Sequence, residues 1–70
     1  MNTKIRELRK KRKLSQEELA LAVGTTRQTI TSIEVSKYTS SLVLAYKIAR
    51  YFDLTIEEVF DFTEIDEMKE

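Results

Sequence analysis

The stretch "LSQEELALAVGTTRQTITSIE", Leu14 to Glu34, contains Gly24, the only glycine in a 70-residue chain that has no proline at all. Its reading decides the fold. Ser15 to Glu18 spell S-x-x-E, a capping box in which a serine hydroxyl and a glutamate carboxylate satisfy free backbone N–H groups at a helix start. Leu19, Ala20 and Val23 continue that helix at helical spacing. Gly24 follows, at the position where a helix closes by passing into the left-handed conformation, which glycine adopts without the steric cost of a Cβ. Thr25 and Thr26 then offer hydroxyls to the open N-terminus of a further helix, from about Arg27 to Val35, with Gln28 three residues after Thr25.

A helix, a short turn containing glycine and a second helix form a helix-turn-helix over residues 15–35. At 100° per residue, Ile30 and Ile33 share one side of the later helix, while Arg27, Gln28, Thr31 and Ser32 fall on the other. That outer face is polar, short-chained and nearly free of acid. Arginine pairs with guanine and glutamine with adenine, and threonine or serine can contact any base or the thymine methyl. The face is therefore chemically suited to reading base edges of double-stranded DNA, a plain solvated helix surface being the alternative.

The rest of the chain reads as short helices separated by polar pairs. One runs from about Thr3 to Lys13. Another runs from Leu42 to Phe52 behind Ser41 as its cap, and a short one opens at a second capping box, Thr55 to Glu58, and ends near Phe60. Weak alternation at Phe60, Phe62 and Thr63 leaves room for a short strand. The expectation is an all-α, five-helix DNA-binding domain over residues 1–62, followed by an acidic tail, 63–70. Net charge is zero, but residues 1–50 carry eleven Lys/Arg against four Asp/Glu, whereas residues 51–70 carry one Lys against eight acids. This separates a basic surface from an acidic end.

Cysteine and histidine are absent, so the usual thiolate and imidazole metal sites and the commonest catalytic base have no residues to build them. Glu57 and Glu58 are adjacent and cannot share a face. An enzyme is not expected, nor a cofactor, a metal, a small-molecule ligand or a membrane span, and the expected location is the cytoplasm. On helix one, Ile5 and Leu8 define a buried stripe with Arg9 and Arg12 at its border. Arg9 wants a carboxylate, and Glu34 sits at the edge of the Ile30/Ile33 stripe. Leu44 and Tyr51 lie opposite the main apolar stripe of the fourth helix. They need a second cover, from the acidic segment or from a second subunit, and Phe60 and Phe62 pose the same choice.

The segment Leu14–Glu34 resembles the DNA-binding domains of phage Cro and CI repressors and their bacterial relatives. Gln16, Leu19, Ala20, Val23, Gly24, Ile30 and Ile33 match the motif, and the likeness extends over about 55 residues. It implies a lambda-repressor-like fold with Arg27, Gln28 and Ser32 facing base edges. Gln16, Thr26 and the loop around Lys37 and Tyr38 would lie on phosphates, and an Arg9–Glu34 pair would join the first helix to the third. It also favours a homodimer formed near the fifth helix, with Leu44, Tyr51, Phe60 and Phe62 as its expected contacts. The chain departs from the family at Val35-Ser36, where relatives carry asparagine and a second glycine, so Ser36 either takes a left-handed conformation or the helix ends differently. The function implied is a transcriptional regulator, most simply a dimeric repressor on a near-palindromic operator. The alternative is an antitoxin-like or adaptor protein whose acidic C-terminus binds another protein.

Overall fold

The computed structural model describes residues 1–37 and 39–68, and Tyr38 lies outside the described residues. These form six helices: α1 (Ile5–Lys11), α2 (Gln16–Val23), α3 (Arg27–Glu34), α4 (Leu42–Tyr51), α5 (Ile56–Val59) and α6 (Thr63–Asp66). The last was not foreseen, because residues 63–66 read as tail. Asp61 explains the turn: one oxygen of its carboxylate accepts from both the N–H and the hydroxyl of Thr63. Those bonds also hold the Asp61 pKa below its ordinary value, with the Thr63 hydroxyl as the larger cause.

Both capping boxes form. In α2 the Glu18 N–H donates to the Ser15 hydroxyl and the Glu18 carboxylate accepts from the Ser15 N–H, each at 2.9 Å; Thr55 and Glu58 repeat this before α5. Ser41 caps α4 as expected. At α3 the cap is Thr26, whose hydroxyl accepts from the Thr29 N–H; Thr25 instead donates its own N–H backwards, to the Ala20 carbonyl.

The four longer helices all terminate in the same way. The residues closing α1 to α4 are Lys13, Gly24, Ser36 and Asp53, all at positive φ, between 54° and 75°. Each is followed by a residue whose N–H reaches back five positions: Leu14 to Arg9, Thr25 to Ala20, Lys37 to Ser32 and Leu54 to Ala49, all between 2.8 and 3.0 Å. With the shorter bond one residue earlier, this is the Schellman arrangement, which satisfies the last free carbonyls. Ser36 thus takes the left-handed option. α1 is shorter than the expected Thr3–Lys13 because Lys13 makes this turn and Thr3 is drawn into a backbone pairing. Thr3 and Phe60 form an antiparallel β-bridge, flanked by Lys4 N–H to Val59 O and Asp61 N–H to Asn2 O, both 2.8 Å. The weak strand signal at Phe60 becomes this bridge.

The core lies where α1 to α5 converge. Ile5, Leu19, Ile30, Ile33, Ile48 and Val59 are its largest fully buried side chains. Each is worth ~1.5–3 kcal/mol relative to exposure. Leu14 and Leu54, which follow two of the left-handed residues, pack against it. The turns thereby aim apolar side chains as well as reversing the chain.

Candidate nucleic-acid interface

Ile30 and Ile33 anchor α3 by its inner face, at 0% and 1% exposure, and that anchoring fixes what the outer face presents. Arg27 and Gln28 are exposed at its first turn, and Ser32 is half-buried one turn later. Thr26 is exposed, and its hydroxyl, besides capping α3, sits 2.9 Å from the Thr29 hydroxyl. Lys37 is exposed just beyond the Ser36 turn.

Behind this face runs a connected polar network. Arg9 donates from Nε to Glu34 at 2.6 Å, from a second guanidinium nitrogen to Glu34 at 3.1 Å, and from the third to the Leu14 carbonyl at 2.8 Å. The expected Arg9–Glu34 pair therefore forms, in the bidentate geometry that is strongest for arginine and carboxylate. Its side chains are 12% and 4% exposed. The hydrogen bonds to Glu34 raise the Arg9 pKa above its ordinary value, against a smaller opposing effect of burial. One side chain thus ties α1 to the α1–α2 turn and to the far end of α3.

Gln16 and Thr31 extend the network. The Gln16 amide donates to Glu34 at 3.1 Å, and its carbonyl oxygen accepts from the Thr31 hydroxyl at 3.0 Å. Thr31 also lies 3.0 Å from the Arg27 carbonyl. The helical wheel put Thr31 among the DNA-facing residues; its hydroxyl instead turns toward α2, because Gln16 sits across the α2–α3 contact. A wheel drawn for one helix carries no information about a partner on another. Gln16, Arg27, Arg9, Ser15 and Glu17 line one shallow polar cleft at the start of α2, so the glutamine expected on a phosphate and the arginine expected on a base share an opening.

Arg12 has a role that the sequence reading missed. It crosses to the end of α4 and donates to the carbonyls of Tyr51 and Phe52, at 3.1 and 3.4 Å. Its guanidinium stands 5.0 Å from the Phe52 ring centroid and 5.8 Å from that of Tyr51. A cation there meets the negative end of the helix dipole. The border position of Arg12 on α1 was the available signal, but its target lies 40 residues away in sequence.

The four residues expected at a dimer contact do not form one patch. Phe60 is buried in the core at 3% exposure, beneath the bridge to Thr3, and meets the apolar cleft beside Phe62 only as part of its floor. Leu44 is half-buried against the core. Tyr51, 38% exposed, packs edge-on against Phe52. Phe62 shares with Phe60 an apolar cleft of about 180 Å³ between the N-terminal residues, α4 and α5, which Met1, Leu42 and Ile56 also line.

Comparison with known proteins agrees with this geometry. The helix-turn-helix family model matches residues 5–59. The chain is 53% identical over 64 residues to an uncharacterized HTH-type transcriptional regulator of Archaeoglobus fulgidus, covering 91% of this chain and 90% of that protein. It is 47% identical over 60 residues to the regulators MJ0272 of Methanocaldococcus jannaschii and YgzD of Bacillus subtilis, covering 86% of this chain and 91% of each. Among solved structures, a chain of the SinR protein/SinI protein complex superposes with a TM-score of 0.74 at 24% identity, over 94% of this chain and 65% of that one. The shared fold is lambda-repressor-like.

Proposed function

This chain belongs to the helix-turn-helix family of DNA-binding transcriptional regulators, and from that premise we propose that it is a repressor acting as a homodimer on a near-palindromic operator. The single observation that carries the reading is the outer face of α3. Arg27 and Gln28 are exposed side by side, Ser32 follows one turn later, and the helix is held from behind by two buried isoleucines and the Arg9–Glu34 pair. A rigidly supported helix with bidentate donors at its N-terminal end suits base reading in the major groove. Gln16, Thr26 and Lys37 flank it and supply phosphate contacts, which set register and affinity while the base-facing residues set sequence choice.

The dimer is assigned to the apolar cleft beside Phe62. Leu42 on its rim is 76% exposed, and a second copy covering this end removes apolar surface from water on both chains. On a near-palindromic operator, the two α3 helices of a twofold dimer would lie about 34 Å apart, one DNA turn, with half-sites about 10 bp apart.

Fluorescence anisotropy with a selected duplex and a scrambled one, across a salt series, tests the DNA reading. Preference for the selected duplex is expected at every salt, with affinity falling linearly in log–log form as counterions are released. Equal affinity for both duplexes at all salt concentrations contradicts sequence-specific regulation. Sedimentation of the wild type beside Phe62→Glu tests the dimer: the variant should sediment as a monomer where the wild type does not.

A further inference from the structure

Thr31 stands on the DNA-reading helix, yet the hydroxyl that would make it a reader is directed into the protein. A glutamine amide looks alike from either end, so its orientation is set by what its two ends meet. Glu34 settles one end at Gln16: a carboxylate only accepts, so the amide nitrogen faces it, at 3.1 Å. The carbonyl end then faces Thr31, whose hydroxyl donates to it at 3.0 Å. Of the two N–H bonds on the Gln16 nitrogen, one is used on Glu34, and the other has no partner among the described residues. Gln16 also lines the polar cleft that Arg9 and Arg27 share.

We infer that Thr31 is a positioning residue: its hydroxyl, together with the Glu34 carboxylate, pins both ends of the Gln16 amide so that the remaining N–H is held in place for a DNA phosphate. This rests on the DNA-binding reading above and assigns Thr31 a part in backbone clamping, not in base reading. The Thr31 hydroxyl has a second acceptor within reach, the Arg27 carbonyl at 3.0 Å, so one proton is divided between two oxygens. A DNA phosphate that draws on the Gln16 N–H polarises the amide, strengthens its carbonyl as an acceptor and pulls the Thr31 proton toward it. The clamp therefore tightens when DNA arrives.

The consequence is a specific pattern of coupling. Thr31→Val keeps the side-chain shape and removes only the hydroxyl; Thr31→Ser keeps the hydroxyl; Gln16→Ala removes the group through which Thr31 acts. Dissociation constants of the wild type and of the four variants, including the Gln16→Ala/Thr31→Val double variant, are measured by anisotropy on a selected duplex and on its single-base variants. Thermal melts confirm that each variant is folded. Thr31→Val should weaken binding by about three- to tenfold, the worth of one hydrogen bond. It should weaken all duplexes alike, leaving the ranking of bases unchanged. Thr31→Ser should bind within about twofold of wild type, and in the Gln16→Ala background Thr31→Val should cost less than about 1.5-fold. A Thr31→Val effect that persists without Gln16, or that alters preference at one base position, overturns the inference while leaving DNA binding intact. Failure of the wild type to bind any duplex overturns the DNA-binding reading, and this inference with it.

Discussion

Four helices end in the same left-handed turn, but only one uses glycine, and this sets up a prediction of opposite signs. At Gly24, with φ +75°, an added Cβ would meet no atom within 4 Å. Steric conflict with the surroundings therefore contributes nothing, and the cost of a side chain reduces to the left-handed backbone itself, ~1–2 kcal/mol. Alanine recovers part of this by restricting the unfolded chain, ~0.4–1 kcal/mol. Gly24→Ala should thus destabilise by about 0.5–1 kcal/mol, and Gly24→Val by more, roughly 2 kcal/mol, because a β-branched side chain is far less tolerant of positive φ. Ser36, at φ 63°, already carries that strain. Ser36→Gly should stabilise by about 0.5 kcal/mol, the backbone relief less the added freedom of the unfolded chain. The 3.3 Å contact from the Ser36 hydroxyl to Asn2 is exposed and subtracts little. Urea unfolding followed by circular dichroism resolves such differences, and in a domain of this size 1 kcal/mol corresponds to about 4–8 °C in Tm. A neutral Gly24→Val, or a Ser36→Gly that loses 1 kcal/mol or more, would refute the reasoning.

Arg9→Ala should cost about 3–5 kcal/mol in chemical unfolding, since it strands a Glu34 carboxylate of 4% exposure, a large share of a typical domain's stability. Arg9→Met with Glu34→Leu should recover most of that loss yet bind DNA weakly in anisotropy, because Gln16 then has no carboxylate to orient it. Arg12→Ala should lower stability by about 1–2 kcal/mol, from the lost carbonyl contacts at the end of α4 and the cation–π contact to Phe52, with DNA affinity per folded molecule unchanged. The bond from the Ser15 N–H, with the Ser15 hydroxyl close by, holds the Glu18 pKa below its ordinary 4.5. Its contribution is therefore complete above pH 4.5 and disappears as the pH falls through the depressed folded-state value; melts of Glu18→Gln should show less loss of Tm in that acid range than the wild type.

What could be read in advance followed from how local each signal is. The capping serines, the Gly24 turn and the Ile30/Ile33 anchor depend on residues within one or two turns of each other, and they stand as read. Arg9–Glu34 spans 25 residues, yet both partners sit at the border of an apolar stripe, so periodicity pointed to it. Arg12 at the end of α4, the Thr3–Phe60 bridge and the Gln16–Thr31 bond pair residues whose meeting depends on the whole packing, and no local pattern announces them. Asp53 is of a residue type that tolerates the left-handed conformation, but nothing local in the sequence marks Lys13 for it. The four expected dimer residues were chosen from a single helix wheel and from aromatic character; the fold sends Phe60 into the core and separates Phe62 from Tyr51.

Selection of bound duplexes from a random pool, run on the wild type, Arg27→Ala and Gln28→Ala, tests most directly whether the exposed N-terminal turn of α3 reads DNA sequence. The wild type should yield a near-palindromic motif and each variant relaxed choice at a different base position, at a cost of about 1–3 kcal/mol for the preferred base. An unenriched pool for the wild type, or the same motif recovered unchanged from both variants, would contradict sequence reading by α3.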